Sequence, residues 1–259
     1  MKAAPALPPG GPAVWSPPSR TVRLAQDDVH LWRASLNVAP SGIEKLRQTL
    51  CPDELGRAAR FLAPEAQARF IVARAILRDV LARYAGRDPA EFEFGYRPEG
   101  KPFLASGSGA ASLEFNLSHS HGTALYAFTL GRQVGVDVEL VRSDLDHERI
   151  ARRFFSAAEA AALRDLPPDL RAESFFRCWT RKEAYIKARG EGLAIPLASF
   201  VVSSAPGEPP ALLSVRDHPS EVDRWTFLPL PPIAGYATAL AVEGKGLRLR
   251  LWDWRLKSA

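Results

Sequence analysis

Apolar and polar residues alternate along this chain with two different periods. Residues 29–36 carry apolar side chains at near-alternate positions and predict a strand. Residues 53–61 predict a short helix, stopped before Pro64. Pro64 then opens a long helix reaching about Tyr84, because proline fits the first turn of a helix. Phe70, Ile71, Leu77, Val80, Leu81 and Tyr84 form its apolar stripe, and Gly86 ends it. Arg69, Arg74, Arg78 and Arg83 are expected mostly on its other faces. Residues 92–96 alternate like a strand, and 97–102 read as a turn-rich link. Residues 113–117 and 123–130 predict two strands flanking a Ser118-His119-Ser120 turn, and Gly131-Arg132-Gln133 leads tightly into a strand over 134–140.

The second half turns helical before it returns to strands. Ser156-Ala157-Ala158-Glu159 has the spacing of a capping box, in which serine and glutamate satisfy each other's backbone N–H groups. Pro167-Pro168 ends that helix. Asp169 is expected to cap the next, which runs to about Arg189 and stops at Gly190. Strand-like stretches follow over 200–203, 212–215, 225–230, 236–242 and 247–252. Each half thus carries helices and a sheet. The fold class is α+β, with two lobes joined near Gly131. The expected division is a Pro-rich disordered tail over 1–27, an N-terminal α+β lobe over 28–131 and a C-terminal α+β lobe over 132–259.

Composition adds limits. Hydrophobic content of 46% and charged content of 24% are ordinary for a soluble globular protein, and no apolar run is long enough to cross a bilayer. The start of the chain lacks the compact apolar stretch of a secretory signal. Cys51 and Cys178, widely spaced, suggest free thiols in a reducing cytoplasm. A net charge of +5 suits anionic partners, though an arginine-rich composition accounts for it equally.

Three short runs carry the candidate chemistry. In Val136-Asp137-Val138-Glu139 the two carboxylates point to one face of a strand while the valines point to the core. Acids so close repel unless a cation lies between them, and Mg²⁺ favours such hard oxygen ligands. A solvated acidic face is the alternative. Trp179, Glu183 and Lys187 recur every four residues and share one helix face. Glu183 is then a third metal ligand and Lys187 a phosphate contact, or the two are a simple helix ion pair. Lys182 lies about 100° around from Glu183, at the rim or merely exposed. His119 and its serines can all donate to phosphate oxygens. A serine hydrolase is rejected, since no G-x-S-x-G elbow occurs. Gly100-Lys101-Pro102 is a turn able to border a base or phosphate.

Asn-Leu-Ser-His-Ser, Gly-Val-Asp-Val-Glu and Trp-x-x-Lys-Glu-Ala-x-x-Lys, in that order and with Gly-Lys-Pro upstream, resemble the 4′-phosphopantetheinyl transferase superfamily. The length and two-lobed layout look like its surfactin-synthetase-activating (Sfp) type. The resemblance spans about residues 57–200. It implies two similar lobes related by a pseudo-twofold, with the active site between them. It implies transfer of phosphopantetheine from coenzyme A to a serine of an apo acyl or peptidyl carrier protein, with release of 3′,5′-ADP.

By this resemblance Asp137, Glu139 and Glu183 match the Mg²⁺-binding acids, and Lys187 the lysine on the pyrophosphate. His119 and Ser118 match residues near the coenzyme A phosphates, and Gly100, Lys101 and Pro102 the turn at the adenine. Trp179 and Lys182 complete the third motif. Arg57, Arg69 and Arg74 are candidates for the 3′-phosphate, while Glu54 stands where some relatives carry lysine. Asp137, Glu183 and Lys187 are the expected catalytic set, with Glu183 or a metal-bound water as proton acceptor. The expected partner is an acidic carrier docking on Arg142, Arg149, Arg152 and Arg153 with Phe154 and Phe155 nearby. A cytoplasmic monomer without nucleic acid or membrane partners is expected. The rivals are a Mg²⁺-dependent phosphohydrolase and a basic nucleic-acid-binding protein; no RRM, zinc-finger or helix-turn-helix signature favours the latter.

Overall fold

The computed structural model describes residues 14–18, 22–96, 100–105 and 112–256. In the first half, β1 (Asp28–Ser35) is followed by α1 (Pro40–Arg47), α2 (Pro52–Ala58) and α3 (Pro64–Ala85). A small ribbon of β2 (Phe94–Tyr96) and β3 (Pro102–Leu104) precedes the hairpin β4 (Leu113–Ser120) and β5 (Thr123–Leu130). In the second half, β6 (Val134–Leu140) leads into α4 (His147–Phe154), α5 (Ala157–Asp165) and α6 (Pro168–Arg189). Then come β7 (Phe200–Val202), β8 (Leu212–Val215), the single turn α7 (Glu221–Arg224), β9 (Trp225–Phe227), β10 (Tyr236–Glu243) and β11 (Arg248–Asp253).

Two main sheets result, ordered β11-β1-β5-β4 and β6-β10-β9. The far end of the chain returns to the first sheet, where β11 runs parallel to β1 with Leu251 opposite Leu31. On one face of that sheet, Ile76, Leu77 and Leu81 of α3 pack with Trp32, Tyr126 and Phe128. Ala184, Tyr185 and Ala188 of α6 pack with Ala239 and Ala241 of the second sheet. A third cluster joins the sheets, with Val29, Leu31 and Leu125 from the first and Val134, Val136, Val138 and Leu240 from the second. Each fully buried side chain of this size contributes about 1.5–3 kcal/mol. The α+β class with two lobes therefore follows from one long helix packed on each sheet.

Several local expectations change. Ser118, His119 and Ser120 are not a turn but the end of β4; the reversal falls at His121, with φ 51°, and Gly122. Asp169 is not a cap: Pro167 holds that place without a side-chain bond, and Pro168 opens α6. Arg74 and Arg78 do not lie on an exposed face of α3. They are 7% and 0% exposed because Glu54 of α2 supplies a buried counter-charge, 2.8 Å from Arg78 Nε and 3.5 Å from Arg74 Nε. The helices α1 and α4 are not among the expected elements.

Of the expected tail, residues 1–13 and 19–21 lie outside the described residues, as do 97–99 of the expected turn. Ser16 donates its N–H to Leu251 O at 3.2 Å, and the Arg33 guanidinium sits 4.6 Å from the centre of the Trp15 ring. Cys51 and Cys178 are free. No helix among the described residues is long and apolar enough to cross a membrane.

Candidate active site

The site begins with a glycine. Gly135, Asp137 and Glu139 share one face of β6, opposite the valines of the core. A Cβ on Gly135 would stand 2.0 Å from Ala184 O and 2.4 Å from Ala188 N. Only glycine lets α6 lie so close to β6. That approach brings Lys187 Nζ within 2.6 Å of Asp137 Oδ1. Ser118 of β4 completes the group: its hydroxyl donates to Asp137 Oδ1 at 2.8 Å and accepts from Lys187 Nζ at 3.0 Å. Asp137, Glu139, Glu183, Lys187, His119 and Trp179 all face one cavity of about 400 Å³.

Charge is concentrated there. The Glu183 carboxyl is pushed up to about 7, first by burial and next by Asp137, with Lys187 opposing and Glu139 adding a little. Burial also raises Glu139, against a hydrogen bond from Ser120. His119 presents surface to solvent, yet the cleft walls desolvate its ring and lower its pKa, helped by Lys187 and Arg69. Asp137 is 2% exposed, and its Oδ2 is buried with no hydrogen-bond partner. Such an orphan oxygen is costly unless something meets it. Among the described residues no three His, Cys, Asp or Glu side chains already form a closed set of metal ligands. The acids ring the cavity rather than touch.

A second cavity, of about 560 Å³, shares His119, Glu183 and Lys187 with the first. Gly100, Lys101 and Pro102 form one wall, and Phe70 and Arg74 of α3 another. Gly100 has φ +85°, which explains glycine there. Lys101 Nζ donates to Lys187 O at 2.9 Å and Val134 O at 3.3 Å, tying this turn to α6 and β6. Arg74 donates to Tyr96 Oη at 3.1 Å, and its Nη1 is buried without a partner. The Arg57 guanidinium stacks 4.2 Å from the Tyr96 ring centre, and Arg69 pairs with Glu65 at 2.6 Å.

Lys182 is a correction. It is neither at the rim nor exposed but fully buried, donating to Leu197 O and Phe200 O at 2.8 and 2.6 Å and pairing with Glu159 at 2.8 Å. Its 100° offset from Glu183 turns it into the lobe core. Glu54 is likewise structural. Three contributors differ from expectation: Asn116 and Tyr96 are not among the expected site residues, and Ser120, expected to donate to phosphate, gives its proton to Glu139. The polar alternation Asn116, Ser118, Ser120 inside an apolar strand was the signal for two of them.

Residues 133–241 match the 4′-phosphopantetheinyl transferase superfamily, and residues 35–129 match the N-terminal region of 4′-phosphopantetheinyl transferase. The 4′-phosphopantetheinyl transferase HetI of a Nostoc species is 40% identical over 240 residues, covering 93% of this chain and 98% of that protein. The transferase Sfp of Bacillus subtilis is 31% identical over 159 residues, 61% of this chain and 68% of its own. The transferase psf-1 of Bacillus pumilus is 31% identical over 178 residues, 68% and 72% of the two chains. Nearly full-length similarity to one such protein, with both halves matched, means that this chain belongs to the 4′-phosphopantetheinyl transferase superfamily, in its Sfp-like branch.

Proposed function

We propose that this chain transfers the phosphopantetheine arm of coenzyme A to a serine of an acidic apo carrier protein in a Mg²⁺-dependent reaction, with the β6 and α6 acids as its centre. Membership makes it a 4′-phosphopantetheinyl transferase with coenzyme A as substrate; the ion, the residue roles and the carrier's character are the proposal. The observation that carries it is the convergence of Asp137, Glu139, Glu183 and Lys187 on one cavity. The orphan Asp137 Oδ2 and the raised Glu183 carboxyl fit a hard divalent cation, which would neutralise both. Asp137, Glu139 and Glu183 would hold it. A bound Mg²⁺ supplies charge neutralisation and polarisation of the diphosphate.

The remaining steps belong to the side chains. Arg74, through its unpartnered Nη1, and Arg57 and Arg69 nearby take the 3′-phosphate end of coenzyme A. The Gly100–Lys101–Pro102 wall borders its base. His119 donates to the phosphates beside the acids, and Ser118, whose proton goes to Asp137, steadies that carboxylate there. Glu183 accepts the proton of the carrier serine as the serine oxygen attacks the pantetheine phosphorus. The phosphoanhydride bond breaks, and Lys187 stabilises the charge gathering on the departing 3′,5′-ADP. Carrier docking falls to α4, where Phe154 is 39% exposed, capped by Arg153 and set edge-on to Trp179 of the cavity. Phe155 is buried in the lobe core and takes no part.

The test is to incubate the protein with coenzyme A, Mg²⁺ and an apo carrier and to weigh the carrier. A gain of one phosphopantetheine supports the reading. Coenzyme A cleavage without any carrier would favour a phosphohydrolase instead.

A further inference from the structure

The two sheets meet at β4 and β6, which edge the first and second sheet respectively. Their bridges at this seam come from alternate side chains of β4. Asn116 Oδ1 accepts from Val136 N at 2.8 Å, Ser118 holds Asp137, and Ser120 reaches Glu139 and Leu140. The pairings ascend together on both strands, so the two run in the same direction and the seam acts as a side-chain zipper.

Ser120 differs from the other two members. It is 8% exposed and stands behind the cavity rather than in its wall. Its hydroxyl donates its one proton to Glu139 Oε2 at 2.8 Å. It accepts from Leu140 N at 3.2 Å, and His121 Nδ1 lies 3.3 Å away. The oxygen is thus anchored to the backbone of the very strand whose acid it holds. Glu139 is the most exposed of the β6 acids and would otherwise be free to rotate into solvent. One of its oxygens is fixed and the other is left for the cavity.

We propose that Ser120 is the positioning residue for Glu139, fixing one carboxylate oxygen so that the other is presented to a divalent cation. The idea rests on the metal-site reading above, and deepens it. Ser120 touches neither substrate nor ion; it acts through Glu139.

Threonine and valine at position 120 have nearly the same shape and differ by the hydroxyl. Mn²⁺ affinity of the full chain, measured calorimetrically with saturating coenzyme A, should fall about tenfold in Ser120→Val, and Ser120→Thr should stay near the unaltered chain. Coenzyme A affinity without metal should change in neither. In a Glu139→Gln background, Ser120→Val should cause no further loss, because the carboxylate it steers is gone. That arm holds even if valine loosens the fold, since a general defect would persist in it. Equal Mn²⁺ affinity in the valine and threonine variants, or equal loss in both, overturns the inference alone. No Mn²⁺ binding by the unaltered chain overturns the metal reading and the inference together.

Discussion

Helix α6 presents two lysine–carboxylate pairs five residues apart, and they differ in what is left over. Lys182 meets Glu159 at 2.8 Å and two backbone oxygens, so all three of its protons are used. Glu159 is equally complete: it accepts from Ser156 N, Ser156 Oγ and Val202 N. Lys187 meets Asp137 at 2.6 Å, but Asp137 keeps a buried oxygen without a partner and faces two more acids. Both pairs are close, and Glu159 and Asp137 are both buried. A fully satisfied pair holds β7 to α6, whereas a partly satisfied one leaves capacity for a ligand. Completeness of hydrogen bonding, rather than proximity of charges, separates scaffold from site here.

The sharpest way to break this contrast is Lys182→Met. It strands Glu159 in the core, and stability should drop by about 3–5 kcal/mol in chemical denaturation. Below the unfolding transition, its kcat/KM should stay within about twofold, as no substrate contact is lost. An activity loss without destabilisation would reverse the assignment. Gly135→Ala attacks the other pair through the backbone. The new methyl drives into Ala184 O, so overpacking should cost about 1–3 kcal/mol. Displacing Glu183 and Lys187 should cost about 100-fold in rate. Normal rate in this variant would mean that the close approach of α6 is unimportant.

Acid and base titration sharpens the contrast more gently. Folding raises the Glu183 pKa from its usual 4.5 to about 7, so the folded chain binds this proton more tightly than the unfolded one. Its contribution to stability is present below about pH 4.5 and declines as pH rises through 7. Metal-free Glu183→Gln should lose that slope in Tm measured from pH 5 to 8, and Lys182→Met should keep it. The smallest effect is expected at the rim. Charge reversal at Arg152 and Arg153 should raise KM for the carrier and leave coenzyme A binding unchanged. Equal changes in both would remove α4 from the docking surface.

Much of this was legible because it is local. The period of two in 134–140 puts Asp137 and Glu139 on one face, and the period of four in α6 aligns Trp179, Glu183 and Lys187. Glycine at 86 and 190 marked both long-helix ends, each with positive φ. What failed depends on partners distant in sequence. The burial of Lys182 needs carbonyls of Leu197 and Phe200, and that of Arg78 needs Glu54. Nothing local distinguishes these lysines and arginines from solvated ones. The pairing of β11 with β1 joins residues 220 apart in sequence, such as Asp28 and Arg248. Serine and histidine favour loops and so suggest a turn at 118–120, yet the alternation of the β4 serines is that of a strand whose polar face lines the seam.

The central claim is that the acids of β6 and α6 serve one cation-assisted transfer, while the neighbouring Lys182–Glu159 pair does not. The most direct measurement is the intact mass of an apo carrier after reaction with coenzyme A and Mg²⁺, run with the unaltered chain, Lys182→Met and Asp137→Ala, each with and without EDTA. The account predicts a phosphopantetheine-sized gain with the first two, abolished by EDTA, and a rate lowered at least about 1,000-fold with folded Asp137→Ala. Full-rate transfer by Asp137→Ala, or transfer that survives EDTA, would contradict it.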